Sequence, residues 1–437
     1  MSSRIEKDLA ELVKAGAVNE KTAGLIRAFY DEKNKRRGPG FLLIAFSILG
    51  SVLLGGGVIL LLAHNWEDFG RPLRAFISFL PLVIAQVLAL YAGFSKKESV
   101  AWREGTGAFL YLAIGISISL ISQTYHISGN LPAFLFTWML LGLPIGYLLG
   151  ALSPVVLFLA GFVGWVTACE DNRHLQPGLA FYWPLLLLVL PYALRLWKKE
   201  RNGFRLSVLL WVFSGALLTS QIFLMDRVLP AYWVPHFAAL FSLMLLAGSF
   251  PFFREKPLMA NPLFALGSLG MIIFLFVLSF KEPWSDIGRK AVRDWFDSRH
   301  RVNFFQVGNG ALVFATAVFF WIRTAWERRW TDLVWGSGFI LIAVFYFFAV
   351  GSHKIGFEYF VVNLYLLALG ILAIVSASRQ AKIGLLNYGM LILSGVVAVR
   401  FFDENFSFLT RGLAFIAIGG GFLVFNFVFV RKWKDKK

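Results

Sequence analysis

Polar and ionisable side chains in this sequence gather at the ends of a few long apolar runs. Arginine presents a fork of donors that suits phosphate and carboxylate oxygens, and histidine changes its charge near neutral pH. The pattern therefore predicts a layer that binds an anionic headgroup. We call this set the outer polar layer, and it comprises His64, Asn65, Trp66, Glu67, Arg71, Arg74, Gln123, Tyr125, His126, Arg400, Asp403 and Arg411.

Other interpretations of the same residues stay open. Arg400 and Asp403 are three apart on one helical face, so they could pair with each other instead of binding a ligand. His64 and His126 could bind zinc beside a carboxylate, but the ligands would come from different helices, and we expect neither a metal nor another cofactor. All six histidines fall on the predicted outer side, where they could sense pH or simply form hydrogen bonds.

The usual catalytic motifs do not occur in the sequence. It contains no serine nucleophile elbow, no phosphate-binding glycine loop and no zinc-protease helix. We therefore predict no catalytic residue and expect binding rather than catalysis. The enzyme alternative is a lipid-linked glycan-processing activity at the outer face, in which His126 or His300 would act beside an arginine.

Membrane-spanning helices must position these residues. The chain is 58% hydrophobic and 15% charged, whereas a soluble domain is about a quarter charged. Apolar runs of about 20 residues recur along it, and each is long enough to cross a bilayer as a helix. The single cysteine, Cys169, excludes an intrachain disulfide framework. We predict an all-α fold, a polytopic transmembrane helix bundle preceded by a short cytoplasmic helical hairpin.

The apolar runs predict about fourteen spans. They lie near 41–63, 73–93, 106–125, 131–150, 153–169, 179–197, 204–224, 231–250, 261–280, 304–323, 333–351, 356–376, 384–401 and 410–430. The division between the fourth and fifth spans rests only on residues 150–153.

The distribution of basic residues predicts how the spans are oriented. With the N-terminus in the cytoplasm, more than two thirds of the 42 Lys and Arg residues fall in cytoplasmic segments, as the positive-inside rule requires. Nearly half of the others lie in one outer loop, 281–303. The net charge of +17 therefore reflects the orientation of the protein in the membrane. We expect no nucleic-acid partner. Both termini should be cytoplasmic.

Residues 1–40 are a polar segment, whereas 41–437 should form the transmembrane domain. Apolar residues at helical spacing predict two short helices in the polar segment, with Gly16 ending the first and Asn19 capping the second. We expect a helical hairpin that a cytoplasmic protein partner could bind.

The outer loop 281–303 should contain an amphipathic helix. Trp284, Ile287 and Trp295 recur at helical spacing between basic residues, which is typical of a helix lying on a membrane surface. We predict a connector anchored by its tryptophans, with a role as a lid or gate as the alternative.

No Asp, Glu, Lys or Arg lies midway across the predicted spans. Ion-coupled transporters commonly place a charged residue at that depth. The nearest polar substitutes are Ser220, Gln221 and Asn363. Such uncharged groups more often join helices than bind a substrate.

Several of these residues also resemble a known family. The resemblance is carried by His64-Asn65-Trp66 with Arg74, by the stretch from Gln123 to Gly129 leading to Trp138 and Pro144, and near the end by Arg400 to Asp403 with Arg411. They resemble bacterial predicted multi-pass membrane proteins catalogued as a domain of unknown function, best over about residues 1–150. The resemblance implies a bacterial cytoplasmic (inner) membrane location and brings no established activity.

Three hypotheses for function follow from the sequence. The first is a non-enzymatic protein that binds or translocates an anionic amphiphile or lipid-linked molecule through the outer polar layer. The second is the glycan-processing enzyme, and the third is an envelope sensor or assembly factor whose residues 1–40 contact a cytoplasmic protein. An open groove lined by Arg71, Arg74 and Arg411 would favour the first, and a histidine bonded to a carboxylate would favour the second.

Overall fold

The computed structural model describes residues 9, 11–35, 66–171, 178–199, 203–225, 232–254, 256–287, 304–352, 357–380 and 382–403, with single positions at 412, 416, 419 and 420. Helices dominate these residues and no strand occurs among them, which confirms the all-α fold. The helices are α1 (Glu20–Lys35), α2 (Arg71–Phe94), α3 (Val100–Thr124), α4 (Leu131–Leu149), α5 (Ser153–Asp171), α6 (Tyr182–Leu187), α7 (Leu190–Lys199), α8 (Phe204–Met225), α9 (Trp233–Gly248), α10 (Pro251–Arg254), α11 (Pro262–Leu278), α12 (Lys281–Ile287), α13 (Phe304–Trp326), α14 (Trp330–Gly336), α15 (Gly338–Ser352), α16 (Glu358–Gln380) and α17 (Ile383–Asp403).

Within the described ranges, nine helical segments are long and apolar enough to cross a membrane. The count rises to ten if α11 and α12, which meet at 85°, form one broken span, and α9 and the apolar part of α17 are shorter. In order along the chain, these segments match the predicted spans from 73–93 to 384–401. The polytopic bundle is confirmed, but the spans predicted near 41–63 and 410–430 lie mostly outside the described residues. The count of about fourteen stays a prediction.

The chain forms two compact units, Met1–Ile77 and Ser78–Lys437. In the first, Asn19 caps α1 as predicted, because its side-chain oxygen accepts the N–H of Thr22 at 2.8 Å. Gly16 has the left-handed φ of 71° expected at the end of a helix. The boundary of the predicted hairpin at residue 40 lies outside the described residues.

The break between α4 and α5 has a local cause. Gly150 adopts a φ of 58°, which is costly for residues with a side chain, and its N–H bonds the carbonyl of Gly146. The chain therefore leaves α4 and starts α5 at Ser153 after only two more residues. The predicted spans 131–150 and 153–169 are therefore two separate helices, each long and apolar enough to cross a membrane.

In the second unit, α9 is the most enclosed helix, with buried residues around most of its circumference. Glycine lets α11 approach it closely, since a Cβ on Gly267 would lie 2.4 Å from the backbone nitrogen of Leu245. A Cβ on Gly248 would meet the backbone nitrogen of Phe264 at 2.3 Å. Helices in lipid associate largely through such close packing of small residues.

The structure agrees with only part of the prediction for the outer loop 281–303. Residues Lys281–Ile287 are helical and nearly perpendicular to α11, as a surface connector should be. Trp284, however, is buried inside the protein, where its indole N–H donates to the carbonyl of Leu278 at 2.7 Å, and Ile287 is also buried. Helical spacing showed an apolar face, but this face packs on neighbouring helices instead of lying in lipid. The rest of the loop, 288–303, lies outside the described residues.

Candidate functional site

A group of buried polar side chains joins α5, α6, α8 and α13. We call it the buried polar cluster, and it consists of Glu170, Tyr182, Ser220, Gln221, Gln306 and Asn309. Each of these residues is between 0% and 5% exposed. At such depth polar groups are costly unless they bond to each other. Stable burial of these six side chains therefore requires hydrogen bonds within the cluster.

One row of the cluster is a chain of hydrogen bonds between side chains, in which the Gln221 amide also donates to the side-chain oxygen of Asn309 at 3.5 Å. The amide of Asn309 donates to Gln221 at 2.8 Å, and the amide of Gln221 donates to the hydroxyl of Tyr182 at 2.9 Å. Tyr182 lies 2.7 Å from the hydroxyl of Ser220, which bonds the carbonyl of Leu217 at 3.0 Å. Three helices are thus joined by side chains that carry no charge.

A second row lies one turn away. The amide of Gln306 donates to the carbonyl of Leu224 at 2.8 Å and to the carboxylate of Glu170 at 3.1 Å. Gln306 and Leu224 are each three residues from a member of the first row, Asn309 and Gln221, so the two rows stack along the same helix faces. Glu170 brings the end of α5 into the cluster.

The ends of the helices fix the depth of the cluster. Glu170 is near the end of α5, Gln221 is near the end of α8, and Gln306 is near the start of α13. The predicted topology assigns all three ends to the outer side. The cluster would then lie in the outer part of the membrane and not at its centre.

Three side chains near the cluster have buried polar atoms with no hydrogen-bond partner among the described residues. They are Trp183 through its indole Nε1, His236 through both ring nitrogens, and Ser214 through its hydroxyl. Trp183 follows Tyr182 directly, with the two rings 5.2 Å apart. Ser214 lies two turns from Gln221 on the same face of α8.

His236 belongs to α9 and is 2% exposed. One turn before it, Tyr232 packs against α13, since a Cβ on Gly310 would lie 2.6 Å from the Tyr232 hydroxyl. Gly310 follows Asn309 of the cluster directly. A neutral imidazole always carries one donor and one acceptor, and each costs about 1–3 kcal/mol when buried without a partner. Such a group in a helix core requires an explanation, and a bound polar group is one.

The arginines of the outer polar layer differ in what they contact. Arg74 is partly buried, and its Nε donates to the carbonyl of Phe69 at 2.8 Å, a contact within its own segment. Arg71 is exposed at the start of α2. Trp66 is partly buried in a short 3-10 helix, Trp66–Asp68.

The end of α3 presents the other described members of the layer. Gln123, Tyr125 and His126 are all exposed, and His126 turns the chain with a φ of 50°. His64, Asn65 and Arg411 lie outside the described residues, as do the side chains of Glu67, Arg400 and Asp403. The outer polar layer as a ligand site therefore stays a prediction.

An ion pair that the sequence did not indicate lies at the opposite ends of the helices. The carboxylate of Glu104 accepts the N–H groups of Leu152 at 2.9 Å and Ser153 at 2.7 Å, so it caps the start of α5. Arg205 donates to Glu104 at 2.8 Å and to the carbonyl of Gly150 at 2.7 Å. The pair holds the α4–α5 break against the starts of α3 and α8, which is a structural role.

A second arginine joins helix ends on the same predicted cytoplasmic side. Arg329 donates to the carbonyl of Ser249 at 2.7 Å and pairs with Asp332 at 2.6 Å. Arg329 and Arg323 also bond Glu327 at 3.1 Å and 3.2 Å. Desolvation acts to raise the pKa of Glu327, but the hydrogen bonds from Arg329 and Arg323 outweigh it and hold that pKa below its usual value. These bonds tie the end of α9 to the turn between α13 and α14.

Asn363 acts as the helix connector that the sequence suggested. Its amide donates to the carbonyl of Ser279 at 3.0 Å and to the carbonyl of Tyr359 at 2.6 Å. A side chain of α16 therefore satisfies a backbone carbonyl at the end of α11.

Sequence reasoning found Ser220 and Gln221 but missed their partners. Gln306 and Asn309 stand three apart near the start of an apolar run, where polar residues are common at helix ends. Their i, i+3 spacing on one helix face was the available signal. The described residues hold no group of three His, Cys, Asp or Glu side chains that could bind a metal ion.

Comparison with known proteins gives a match in one part of the chain. No curated protein and no solved structure matches it. Residues 10–155 match the family model described as a predicted membrane protein (DUF2157), a domain of unknown function. The matched range agrees with the resemblance expected over about residues 1–150 and covers about a third of the chain. Residues 10–155 are thus similar to the DUF2157 family of predicted membrane proteins.

Proposed function

We propose that this protein is a non-enzymatic membrane protein that binds, and moves across the membrane, an anionic amphiphile or lipid-linked molecule. The polar group of the ligand would enter the buried polar cluster between α5, α6, α8 and α13. The outer polar layer would attract the ligand at the surface. The membrane is the bacterial cytoplasmic membrane in this proposal, with both termini in the cytoplasm.

The observation that carries the proposal is the pair of buried donors beside the cluster. Trp183 offers an indole N–H and His236 an imidazole, and neither has a partner among the described residues. Lipid hydrocarbon cannot supply one. A ligand with phosphate or carboxylate oxygens would accept from both groups, and a hydrogen bond to a charged acceptor is worth more than one between neutral groups.

The position of the cluster suits an amphiphile. The headgroup of a lipid has to travel only part of the membrane thickness to reach side chains in the outer part of the bundle, while its hydrocarbon stays in lipid. Ser214 lies two turns before Gln221 in α8, and its buried hydroxyl would be closer to the membrane centre. A headgroup that follows this route does not need a charged residue at the membrane centre.

The enzyme alternative receives less support. It requires a histidine at hydrogen-bonding distance from a carboxylate. Among the residues that the structure describes, His236 has no hydrogen-bond partner and His126 is exposed on a turn. A cytoplasmic protein partner of residues 1–40 is compatible with the amphiphile proposal and would be a second, separate interaction.

The proposal is tested by native mass spectrometry of the protein extracted together with its own lipids. The informative variants are Trp183→Phe and His236→Phe, which keep a ring but remove a donor that has no partner in the structure. Trp326→Phe is the matched control, because Trp326 is 83% exposed on α13. If the donors serve a ligand, both variants lose the co-purified species by about tenfold or more, since a hydrogen bond to a charged group contributes about 1.5–3 kcal/mol.

Stability separates ligand binding from a structural role. Removing an unpartnered buried polar group should leave the delipidated protein as stable as before, or more stable. A specific anionic species that binds the parent and the Trp326→Phe protein but not the two variants supports the proposal. Recovery of only bulk phospholipid, in amounts equal in all four proteins, would overturn it.

A further inference from the structure

A groove opens on the surface of α2 and α3, at the ends of these helices that the topology predicts to be cytoplasmic. It has a volume of ≈ 330 Å³ and is lined by Leu88, Ala101, Trp102, Gly105, Thr106 and Phe109. All six belong to the second compact unit. The lining is distinct from the buried polar cluster, so the groove is a separate feature of the molecule.

The groove owes its shape to one glycine between two large rings. A Cβ on Gly105 would meet nothing within 4 Å, so the floor is open. Trp102 and Phe109 stand on either side and are 41% and 37% exposed. From Ala101 to Phe109 the groove follows α3 for about 12 Å, at 1.5 Å per residue.

The interior of the groove is mostly apolar. The hydroxyl of Thr106 is already used, because it donates to the carbonyl of Trp102 at 2.8 Å. The other lining side chains are apolar, except for the indole N–H of Trp102. The occupant must therefore be apolar along this length. A single hydrocarbon chain meets this requirement.

The mouth of the groove carries the opposite chemistry. The turn between α2 and α3 exposes Lys96 and Lys97, with Glu98 as the acidic residue of the turn. Tyr91 and Trp102 meet edge to face at 5.4 Å at the same end. Aromatic rings and basic residues together are typical of the level of lipid headgroups, and lysine is attracted to anionic lipid.

We propose that this groove is a binding site for an anionic phospholipid, with one acyl chain along Gly105 and the headgroup at Lys96 and Lys97. The lipid belongs to the leaflet on the side of the α2–α3 turn. The site does not depend on the function proposed for the buried polar cluster.

Lipid titration of the delipidated full-length protein tests this, with native mass spectrometry as the readout and phosphatidylglycerol or phosphatidylcholine as the added lipid. Gly105→Leu places a side chain in the groove at a position where its Cβ meets nothing within 4 Å, and Lys96→Gln/Lys97→Gln removes the charge at the mouth. Two controls are matched to these changes. Gly215→Leu alters a glycine of α8 that also has nothing within 4 Å, and Lys198→Gln/Lys199→Gln removes another exposed basic pair, at the end of α7.

The expected results differ between the two variants. The parent protein and both controls should bind a first phosphatidylglycerol molecule more tightly than phosphatidylcholine. Gly105→Leu should lose that first molecule of either lipid. Lys96→Gln/Lys97→Gln should keep a bound lipid but lose its preference for phosphatidylglycerol, by about fivefold for each lysine.

Two results would overturn the proposal. One is a first bound lipid that is unaffected by Gly105→Leu, or equal binding of the two lipids by the parent protein. The other is a change from dimer to monomer in Gly105→Leu at constant lipid binding, which would assign the groove to contact between two copies of the chain.

Discussion

Arg205 and Glu104, a hundred residues apart in sequence, meet through a hydrogen bond of 2.8 Å. Their side chains are 17% and 26% exposed, so the pair is shielded but not fully buried. The same carboxylate also accepts two backbone N–H groups at the start of α5. One side chain therefore fixes the beginning of one helix and its distance from another.

Removal of this carboxylate should destabilise the second unit. Glu104→Ala leaves the N–H groups of Leu152 and Ser153 without their acceptor and removes one of the acceptors of Arg205, and we expect a loss of about 1–3 kcal/mol. Glu104→Gln keeps an acceptor oxygen and should lose less. Thermal unfolding in detergent measures the difference, with Glu98→Gln, an exposed position on the preceding turn, as the control. Equal melting temperatures for Glu104→Ala and Glu98→Gln would contradict this role.

The pairs of Glu327 should give an acid-sensitive contribution to stability. Because the pKa of this carboxyl is lowered in the folded protein from its usual 4.5, the contribution is complete above that value. It is lost as the pH falls through the lower, folded value. Thermal unfolding of the parent and of Glu327→Gln should therefore differ at neutral pH and converge in acid. A difference that grows on acidification would show the opposite sign.

Within the buried polar cluster, the side-chain amides of Asn309 and Gln221 should contribute to stability in a coupled way. Asn309→Leu leaves the oxygen of Gln221 without its 2.8 Å donor, and Gln221→Leu leaves the amide of Asn309 unsatisfied. Each single variant should lose about 1–3 kcal/mol, whereas the double variant should lose less than the sum. A double-mutant cycle of unfolding free energies gives the coupling. Strict additivity would mean that the two amides do not depend on each other.

Close packing between α9 and α11 should not tolerate a single methyl group. Gly267→Ala would place a Cβ 2.4 Å from the backbone nitrogen of Leu245, so the helices would have to separate. We expect about 1–3 kcal/mol of destabilisation and a lower yield of monodisperse protein. Gly215→Ala, where a Cβ meets nothing within 4 Å, is the control. Size-exclusion chromatography and thermal unfolding distinguish the two.

The predicted orientation can be tested by thiol labelling. Cys169 is buried and is the single cysteine of the chain, so the background should be low. Gly129→Cys, on the exposed turn after α3, should react with an impermeant reagent added outside intact cells. Glu98→Cys, on the turn before α3, should react only after the cells are opened. The reverse pattern would invert the topology and move the buried polar cluster to the cytoplasmic side.

The sequence predicted the helical elements well because the signal for a span is local. A run of about 20 apolar residues has one stable form in lipid, a helix that satisfies its own backbone. Gly150 and Asn19 were readable for the same reason, since a cap is defined by a few neighbouring residues. These features do not depend on what packs beside them.

Features that depend on tertiary packing were harder to predict. Gln306 and Asn309 look like ordinary polar residues of a helix end until Gln221 and Glu170 are brought to them from other helices. Trp284 looked like a membrane anchor because its spacing defines an apolar face but not the partner of that face. His236 was placed near the outer side, but sequence could not show that its ring lacks a hydrogen-bond partner.

The short link between α4 and α5 also constrains how the protein is made. Two helices joined through residues 150–152 have no domain between them, so they form a tight helical hairpin. Glu104 is already present when this hairpin forms, but Arg205 is translated later, with α8. The ion pair can therefore close only after Arg205 has been synthesised, so this contact forms later than the hairpin that it stabilises.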